Sequence, residues 1–278
     1  MMNFKLIVLL LLTLHTYANE RIVTLSPAIN EIVFALGAGN EVVGNTLYST
    51  YPKASRSLPK VGGYFSPDLE KIMALRPTLV LMQPNNRALA KQLQRLGIGT
   101  MTVRIDRLPH IEQAITALGK RLEHTKEAAN ITHAIADALA KTKGIVKGKK
   151  ILIVFGYNRV IKGNVFVAGQ NLYFDDIINA SGNTNALHAT RKGQPVLSRE
   201  NIIALNPDIV IVLAHDLDKK HLTKEDVIAP WHTLPITAAK RGDIYLIDKD
   251  YSGIPSDRLV YFLKDFREIL HAAAHHRL

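Results

Sequence analysis

A pattern of polar and apolar positions occurs twice in this chain, and it predicts two similar α/β units. Residues 62–83 (GGYFSPDLEKIMALRPTLVLMQ) and 196–214 (VLSRENIIALNPDIVIVLA) each contain an amphipathic segment, a proline and an uninterrupted apolar run. The amphipathic segment predicts a short helix that ends before the proline, and the apolar run predicts a strand covered on both faces. The copies lie 130 positions apart, which places Glu70 in register with Glu200. The duplication predicts a chain of two α/β lobes.

Between the two copies, residues 118–147 have a pattern that predicts one long helix. The segment is rich in alanine and lysine and lacks proline, and Ile131, Ile135 and Leu139 fall on one helical face. An apolar strand pattern starts again at 150–155. We therefore predict an N-terminal lobe over 19–117, a connecting helix over 118–147 and a C-terminal lobe over 148–278. Each lobe is expected to have three layers around a central, mostly parallel sheet.

The first residues have the pattern of a secretory signal peptide. Lys5 precedes the apolar run 6–14, and small residues lead up to Ala18. This predicts a signal peptide over 1–18, because the run is about half the roughly 20 residues that a membrane span needs. The chain contains no cysteine, which leaves no thiol for disulfides or for a lipid. We expect an exported periplasmic protein that is not a lipoprotein.

The chain is basic, with a formal net charge of +11. Such a charge suits nucleic acid, anionic lipid or an anionic small molecule. The lysines and arginines are scattered along the chain, however, and export argues against nucleic acid. We expect a monomer with a basic surface and no nucleic-acid partner.

Several polar and aromatic residues directly follow predicted strands. In open α/β sheets, ligands bind beyond the carboxyl ends of the strands, so these residues are candidates for a cleft between the lobes. The candidates are Tyr48, Tyr64, Gln83 and Arg104 in the first lobe, and Tyr157, Arg191, His215, Asp250 and Tyr251 in the second.

Four stretches of the chain carry a family resemblance. They are RIVTLSPAINEIVFALG at 21–37, YSTYPKA at 48–54, VGGYFSPDLEKIMALRPTLVL at 61–81 and LSRENIIALNPDIVIV at 197–212. With the alanine-rich connecting segment, they make the chain similar to the helical-backbone periplasmic binding proteins. That family serves ABC importers for cobalamin, ferric siderophores and haem.

The resemblance implies a function and two docking residues. It implies a receptor that captures a metal chelate in the interlobe cleft and delivers it to the membrane subunits of an ABC importer, with no catalysis and no cofactor. In that family one glutamate on each lobe docks to arginine-lined pockets of the membrane subunits, and the matching positions are Glu70 and Glu200.

The resemblance leaves the cargo open. Cobalamin-binding members line the cleft with several tryptophans, where this chain has Tyr64, Gln83 and Pro195. Haem-binding members use a tyrosine after Val-Gly as an iron ligand, and here Gly63 takes that place, with Tyr64 next. Siderophore-binding members hold an anionic chelate with arginine and tyrosine, which Arg104 and Tyr64 can supply.

Two other functions remain open at this point. A receptor for a free transition-metal ion needs converging histidines and carboxylates, and the chain has candidates without the spacing of a ligand motif. An exported α/β enzyme is the other alternative, although no Gly-x-Ser-x-Gly elbow, phosphate-binding loop or His-Glu-x-x-His motif is present. The metal candidates are His188, His215, His232 and Asp250, with a further cluster of His271, His275 and His276 at the end of the chain.

Overall fold

The first of two sheets is parallel throughout. The computed structural model describes residues 20–157, 159–161, 163–188 and 194–275. The sheet consists of β1 (Ile22–Thr24), β2 (Val42–Gly44), β3 (Leu79–Met82) and β4 (Gly99–Thr102), in the order β2-β1-β3-β4. Four helices belong to this part of the chain: α1 (Pro27–Ala35), α2 (Leu69–Ala74), α3 (Arg87–Arg95) and α4 (Leu108–Arg121).

The second sheet is mixed. Its strands are β5 (Lys150–Phe155), β6 (Val165–Val167), β7 (Thr184–Asn185), β8 (Val196–Leu197), β9 (Ile209–Leu213) and β10 (Ile244–Ile247). The order is β10-β9-β5-β6-β8, with β7 paired to β5. β7 and β9 run parallel to β5, and β10 runs parallel to β9, whereas β6 is antiparallel to both β5 and β8. The predicted α/β class with mostly parallel sheets is confirmed.

Six helices accompany the second sheet or lead into it. They are α5 (Thr125–Ala140), α6 (Tyr173–Ala180), α7 (Arg199–Leu205), α8 (Lys224–His232), α9 (Thr237–Arg241) and α10 (Leu259–His275). The sequence pattern did not predict α8 and α9. Among the described residues, no helix combines the length and apolar character that crossing a membrane requires.

The repeated unit folds as predicted in both lobes. In each copy a helix, α2 or α7, leads into a buried strand, β3 or β9. The side chains of Asp68 and Ser198 cap these helices by accepting hydrogen bonds from backbone N–H groups three residues later. Arg76 and Asn206, which precede the prolines in the two copies, both have positive φ values, of 46° and 45°. The duplication therefore extends to backbone conformation.

The structure corrects the predicted single helix over 118–147. Residues 118–121 end α4, and α5 is a separate helix. The chain reverses at Glu123, whose φ is 62°, and the backbone N–H of His124 donates to the carbonyl of Gly119 at 2.7 Å. A Cβ at Gly119 would lie 2.4 Å from the Cβ of Ala128, so α4 and α5 pack too closely there for any other residue. The lobe boundaries at 117 and 148 stay a prediction.

One hydrophobic core continues from the first lobe to the second. It includes Ile29 of α1, Ile115 of α4, Ile135 of α5, Ile153 of β5 and Phe262 of α10, which are all fully buried. Because α4, α5 and α10 pack in the same core as strands of both sheets, separating the lobes would expose apolar surface to water.

Candidate ligand-binding cavity and docking residues

A cavity of about 380 Å³ lies where the two lobes meet. The first lobe contributes the start of α1, the residue after β3 and the segment between β4 and α4. The second lobe contributes the end of β5, the start of α6 and the loop that precedes α10. The lining includes Ser26, Tyr64, Gln83, Asp106, Phe155, Tyr173, Phe174 and Ile254.

Aromatic rings form much of the cavity wall. Phe155 and Phe174 meet edge to face with ring centroids 5.6 Å apart, and Phe174 meets Phe262 of α10 in the same way at 5.1 Å. Tyr64 lies opposite in the chain order, on the loop between β2 and α2, and is half-buried. Burial raises the pKa of its phenol, so Tyr64 is protonated at neutral pH. The wall offers aromatic surface with few charges.

Two hydrogen-bonded groups supply the polar part of the lining. Gln83 Nε2 donates to Ser26 Oγ at 2.9 Å, which connects the end of β3 to the start of α1. Asp106 accepts from Arg104 Nη2 at 2.7 Å and lies 2.8 Å from His110 Nδ1. Burial alone would raise the pKa of Asp106, but its hydrogen bonds to Arg104 and His110 outweigh burial and hold that pKa below its usual value.

The structure brings two of the predicted site residues to the cavity. Tyr64 and Gln83 both line it. Arg104 lies beside it, with its guanidinium paired to Asp106 and more than half of its side chain exposed. The predicted anionic partner of Arg104 is thus matched by a carboxylate of the same chain.

The remaining predicted residues lie elsewhere. Tyr48 is 71% exposed, and Tyr157 packs against the second-lobe core with Lys220 Nζ 5.3 Å from its ring centroid. His215 and Asp250 line a separate surface depression. Tyr251 lines another and donates to Asp265 at 2.8 Å. Arg191 lies outside the described residues. The strand-end rule selects an edge of the sheet, but the turn after each strand decides which way a side chain points.

Sequence reasoning missed several lining residues, namely Asp106, Phe155, Tyr173, Phe174 and Ile254. Tyr173 and Phe174 open α6, and the starts of helices meet the same edge of a parallel sheet as the ends of its strands. Applying the rule to helix starts as well would have found these two residues.

Two ion pairs join the lobes. Glu31 of α1 and Arg258, just before α10, are each 4% exposed, and Arg258 Nη2 donates to Glu31 Oε1 at 2.6 Å. Ser256 Oγ also donates to Glu31, and Arg258 stacks on the ring of Tyr51 at 3.9 Å. In the second pair, Arg107 binds Asp176, which also accepts from the backbone N–H of Leu108 at 2.8 Å. The pair Asp175 and Asp176, which an enzyme hypothesis singles out, therefore includes a structural carboxylate.

Asp257 lies next to the first ion pair and carries a testable consequence. Burial, and secondarily the carboxylate of Glu31, raises the pKa of Asp257 to about 6. In the unfolded chain the pKa is about 3.9, so between pH 4 and 6 the unfolded state ionises while the folded state resists. The free energy of unfolding thus loses a contribution as the pH rises through this range, by up to about 3 kcal/mol.

We expect Asp257→Asn to be more stable than the parent by about 1–3 kcal/mol at pH 7, and the gain to vanish near pH 4. Urea unfolding of both proteins between pH 4 and 8 measures the difference. Asp137→Asn, at an exposed position of α5, serves as the control. A gain that is equal at pH 4 and pH 7 would contradict the explanation.

The two predicted docking residues occupy equivalent positions. Glu70 and Glu200 are exposed and are the second residues of α2 and α7. Neither forms an ion pair within the described part of the chain. Hydrogen bonds from its own backbone N–H and from Ser198 hold the pKa of Glu200 below its usual value, so it is ionised at neutral pH. Because these helices run back along their sheets, their starts lie at the edges that hold the strand ends.

The described residues include no group of three or more histidines and carboxylates that could hold a metal ion. His188 lies 3.0 Å from Gln170, and His215 lies 3.2 Å from Asp216. His276, the last of the terminal cluster, lies outside the described residues. The receptor for a free metal ion, one of the alternatives, finds no support here.

With two α/β lobes, a shared core and an interlobe cavity established, the class of protein can be stated. A family model described as "Periplasmic binding protein" matches residues 22–251. This chain therefore belongs to the periplasmic binding protein family, and the predicted resemblance is confirmed. Members of this family are binding proteins.

Particular relatives narrow the comparison. The vitamin B12-binding protein of Salmonella paratyphi A (strain ATCC 9150 / SARB42) is 31% identical over 216 residues, which is 75% of this chain and 79% of that protein. Among solved structures, the periplasmic heme-binding protein RhuT from Roseiflexus sp. RS-1 superposes with a TM-score of 0.74 at 26% identity. That match covers 92% of this chain and 99% of the other.

One relative corrects the predicted location. YvrC of Bacillus subtilis (strain 168), an uncharacterized ABC transporter substrate-binding lipoprotein, is 27% identical over 91% of this chain and 80% of its own length. The prediction of a periplasmic protein that is not a lipoprotein is therefore wrong, because the same fold occurs in a lipoprotein and a lack of cysteine does not decide how the fold is held. The comparisons support a location outside the cytoplasm.

Proposed function

We propose that this chain is the receptor of an ABC importer and captures a metal chelate, such as haem, a ferric siderophore or cobalamin, in the cavity between its lobes. The lining of the cavity carries this proposal: it joins aromatic rings to a few hydrogen-bonding groups. Asp106, the one charged side chain among the described lining residues, is already paired. A largely apolar chelate with a polar edge matches such a lining. Relatives named for vitamin B12 and for haem support this class of cargo.

The proposed partners are the membrane subunits of the importer. Each lobe offers one exposed glutamate at the same helical position, Glu70 or Glu200, and charge pairs at a transient interface guide encounter and set register. In this proposal the receptor is a monomer, has no resident cofactor and releases its cargo unchanged.

Tyr64 and Tyr48 form a matched pair for testing the binding site. We expect Tyr64→Ala to weaken the binding of the cargo by about tenfold, because the ring supplies part of the aromatic wall. Tyr48→Ala should leave the affinity unchanged, because Tyr48 is 71% exposed and lies outside the cavity. Titration of each protein with haemin, cyanocobalamin and a neutral ferric hydroxamate, followed by absorbance or calorimetry, gives the affinities.

The same titrations separate the alternatives. A chelate at 100 times its dissociation constant should add about 2.7 kcal/mol to the free energy of unfolding, with one chelate bound per chain. Stabilisation by free divalent ions alone would favour a metal-ion receptor instead. Chemical conversion of the chelate would favour an enzyme, and equal losses in the two tyrosine variants would refute the assignment of the cavity.

A further inference from the structure

The hydroxyl group of Tyr173 is buried at the cavity without a hydrogen-bond partner. Tyr173 is the first residue of α6, lines the cavity and is 5% exposed. Its Oη is inaccessible to solvent, and no group among the described residues forms a hydrogen bond with it. Buried hydroxyls in native proteins are nearly always paired, because an unpaired one has given up its hydrogen bonds to water. An unpaired hydroxyl on a lining residue therefore points to a bound group.

The missing partner is a hydrogen-bond acceptor. Burial raises the pKa of the Tyr173 hydroxyl, so the group keeps its proton at neutral pH and is available as a donor. Its neighbours in the lining, Leu172 and Phe174, are apolar and offer no acceptor on their side chains. A bound acceptor would complete the hydroxyl.

The start of α1 adds donors to the same cavity. Ser26, Pro27 and Ala28 line it. Ser26 Oγ accepts from Gln83 Nε2, so its own proton is free to be donated. First-turn amides of a helix lack acceptors within the helix and carry the positive end of its dipole, and the first turn of α1 contains no acidic side chain. This end of the cavity therefore favours a negatively charged acceptor.

The negative charge already present is compensated. Asp106 pairs with Arg104 at 2.7 Å and with His110 at 2.8 Å. Its carboxylate therefore repels an incoming anion less than a free carboxylate would.

We propose that a carboxylate at the edge of the cargo binds between the start of α1 and the hydroxyl of Tyr173. This rests on the proposed function, since it requires a chelate in the cavity. The propionates of haem are carboxylates of this kind, whereas the edge of a cobalamin carries neutral amides. The site thus selects chelates with free carboxylates over those with neutral edges.

Haemin and its dimethyl ester test the site, because esterification removes the negative charges and leaves the ring and the metal unchanged. The parent protein should bind haemin at least about tenfold more tightly than the ester. Tyr173→Phe should lose about tenfold in haemin affinity and little in ester affinity. In the absence of ligand the same variant should melt at a temperature roughly 2 °C or more above that of the parent, because it removes an unpaired buried hydroxyl.

Tyr245→Phe is the matched control. Tyr245 Oη donates to Asp243 Oδ1 at 3.0 Å in the same lobe, away from the lining. This variant should melt at a lower temperature than the parent and bind haemin with unchanged affinity.

The outcomes separate the site from the proposed function. Equal affinities of the parent for haemin and its ester overturn the site, and so does a Tyr173→Phe protein that binds haemin like the parent. If neither porphyrin binds but cyanocobalamin does, the receptor function stands and the carboxylate site is overturned. If none of the three probes binds, the proposed function fails and the site fails with it.

Discussion

Replacing both Glu70 and Glu200 with alanine should abolish uptake of the cargo while leaving its affinity for the receptor unchanged. Both side chains are exposed, lie outside the cavity lining and form no ion pair within the described part of the chain. Close charge pairs across a protein interface couple strongly, so each loss should weaken docking by about tenfold or more, and the double variant by roughly 100-fold. Uptake of labelled cargo by cells or by importer-containing vesicles gives the transport rate, and titration of the purified receptor gives the affinity.

Glu225 provides a control at the same helical position. It is exposed and is the second residue of α8, but it has no counterpart in the other copy of the repeat. Glu225→Ala should transport normally if the repeated glutamates dock specifically. A similar loss of transport from Glu225→Ala would indicate a general effect of surface charge, and normal transport by the double variant would refute the docking assignment.

Replacing Glu31 with glutamine should lower the free energy of unfolding by about 3–5 kcal/mol. Glu31 and Arg258 are each 4% exposed and lie 2.6 Å apart, so the substitution leaves an uncompensated guanidinium in the interior. Asp250 also pairs with Arg258, but the Asp250 side chain is 57% exposed and compensates only part of the charge. Denaturant unfolding of the parent and the variant measures the loss.

A double variant and an exposed pair complete this test. Glu31→Gln combined with Arg258→Met removes both charges and should recover more than half of the loss, since the cost comes mainly from the unpaired charge. Lys219→Met breaks a pair with Asp216 in which the lysine side chain is 79% exposed, and it should cost less than about 1 kcal/mol. A small effect of Glu31→Gln would mean that water reaches Arg258 in the folded protein.

Periodicity in the sequence predicted most of the local structure. The helix, proline and strand of the repeated unit form as expected at α2–β3 and α7–β9, because amphipathic spacing, a helix-ending proline and an apolar run act over neighbouring residues. The break between α4 and α5 was missed. It contains neither glycine nor proline, and it depends on the fit of Gly119 against Ala128, which becomes apparent only once the two helices pack.

The candidate site divides in the same way. The rule that ligands bind at strand ends selected Tyr64 and Gln83, which line the cavity, but it also selected Tyr48 and Tyr157, which do not. The direction of a side chain after a strand depends on the turn that follows, and hydrophobic spacing contains no information about that turn.

By itself, the sequence determined the duplicated unit, the α/β class, the family and the equivalence of Glu70 and Glu200, because each of these is a pattern repeated along the chain. The tertiary structure alone decided that Glu31 meets Arg258, 227 positions away, and that Tyr173 lines a cavity together with Ser26. These contacts join segments far apart in sequence. They form only where the two lobes pack, so local spacing could not have predicted them.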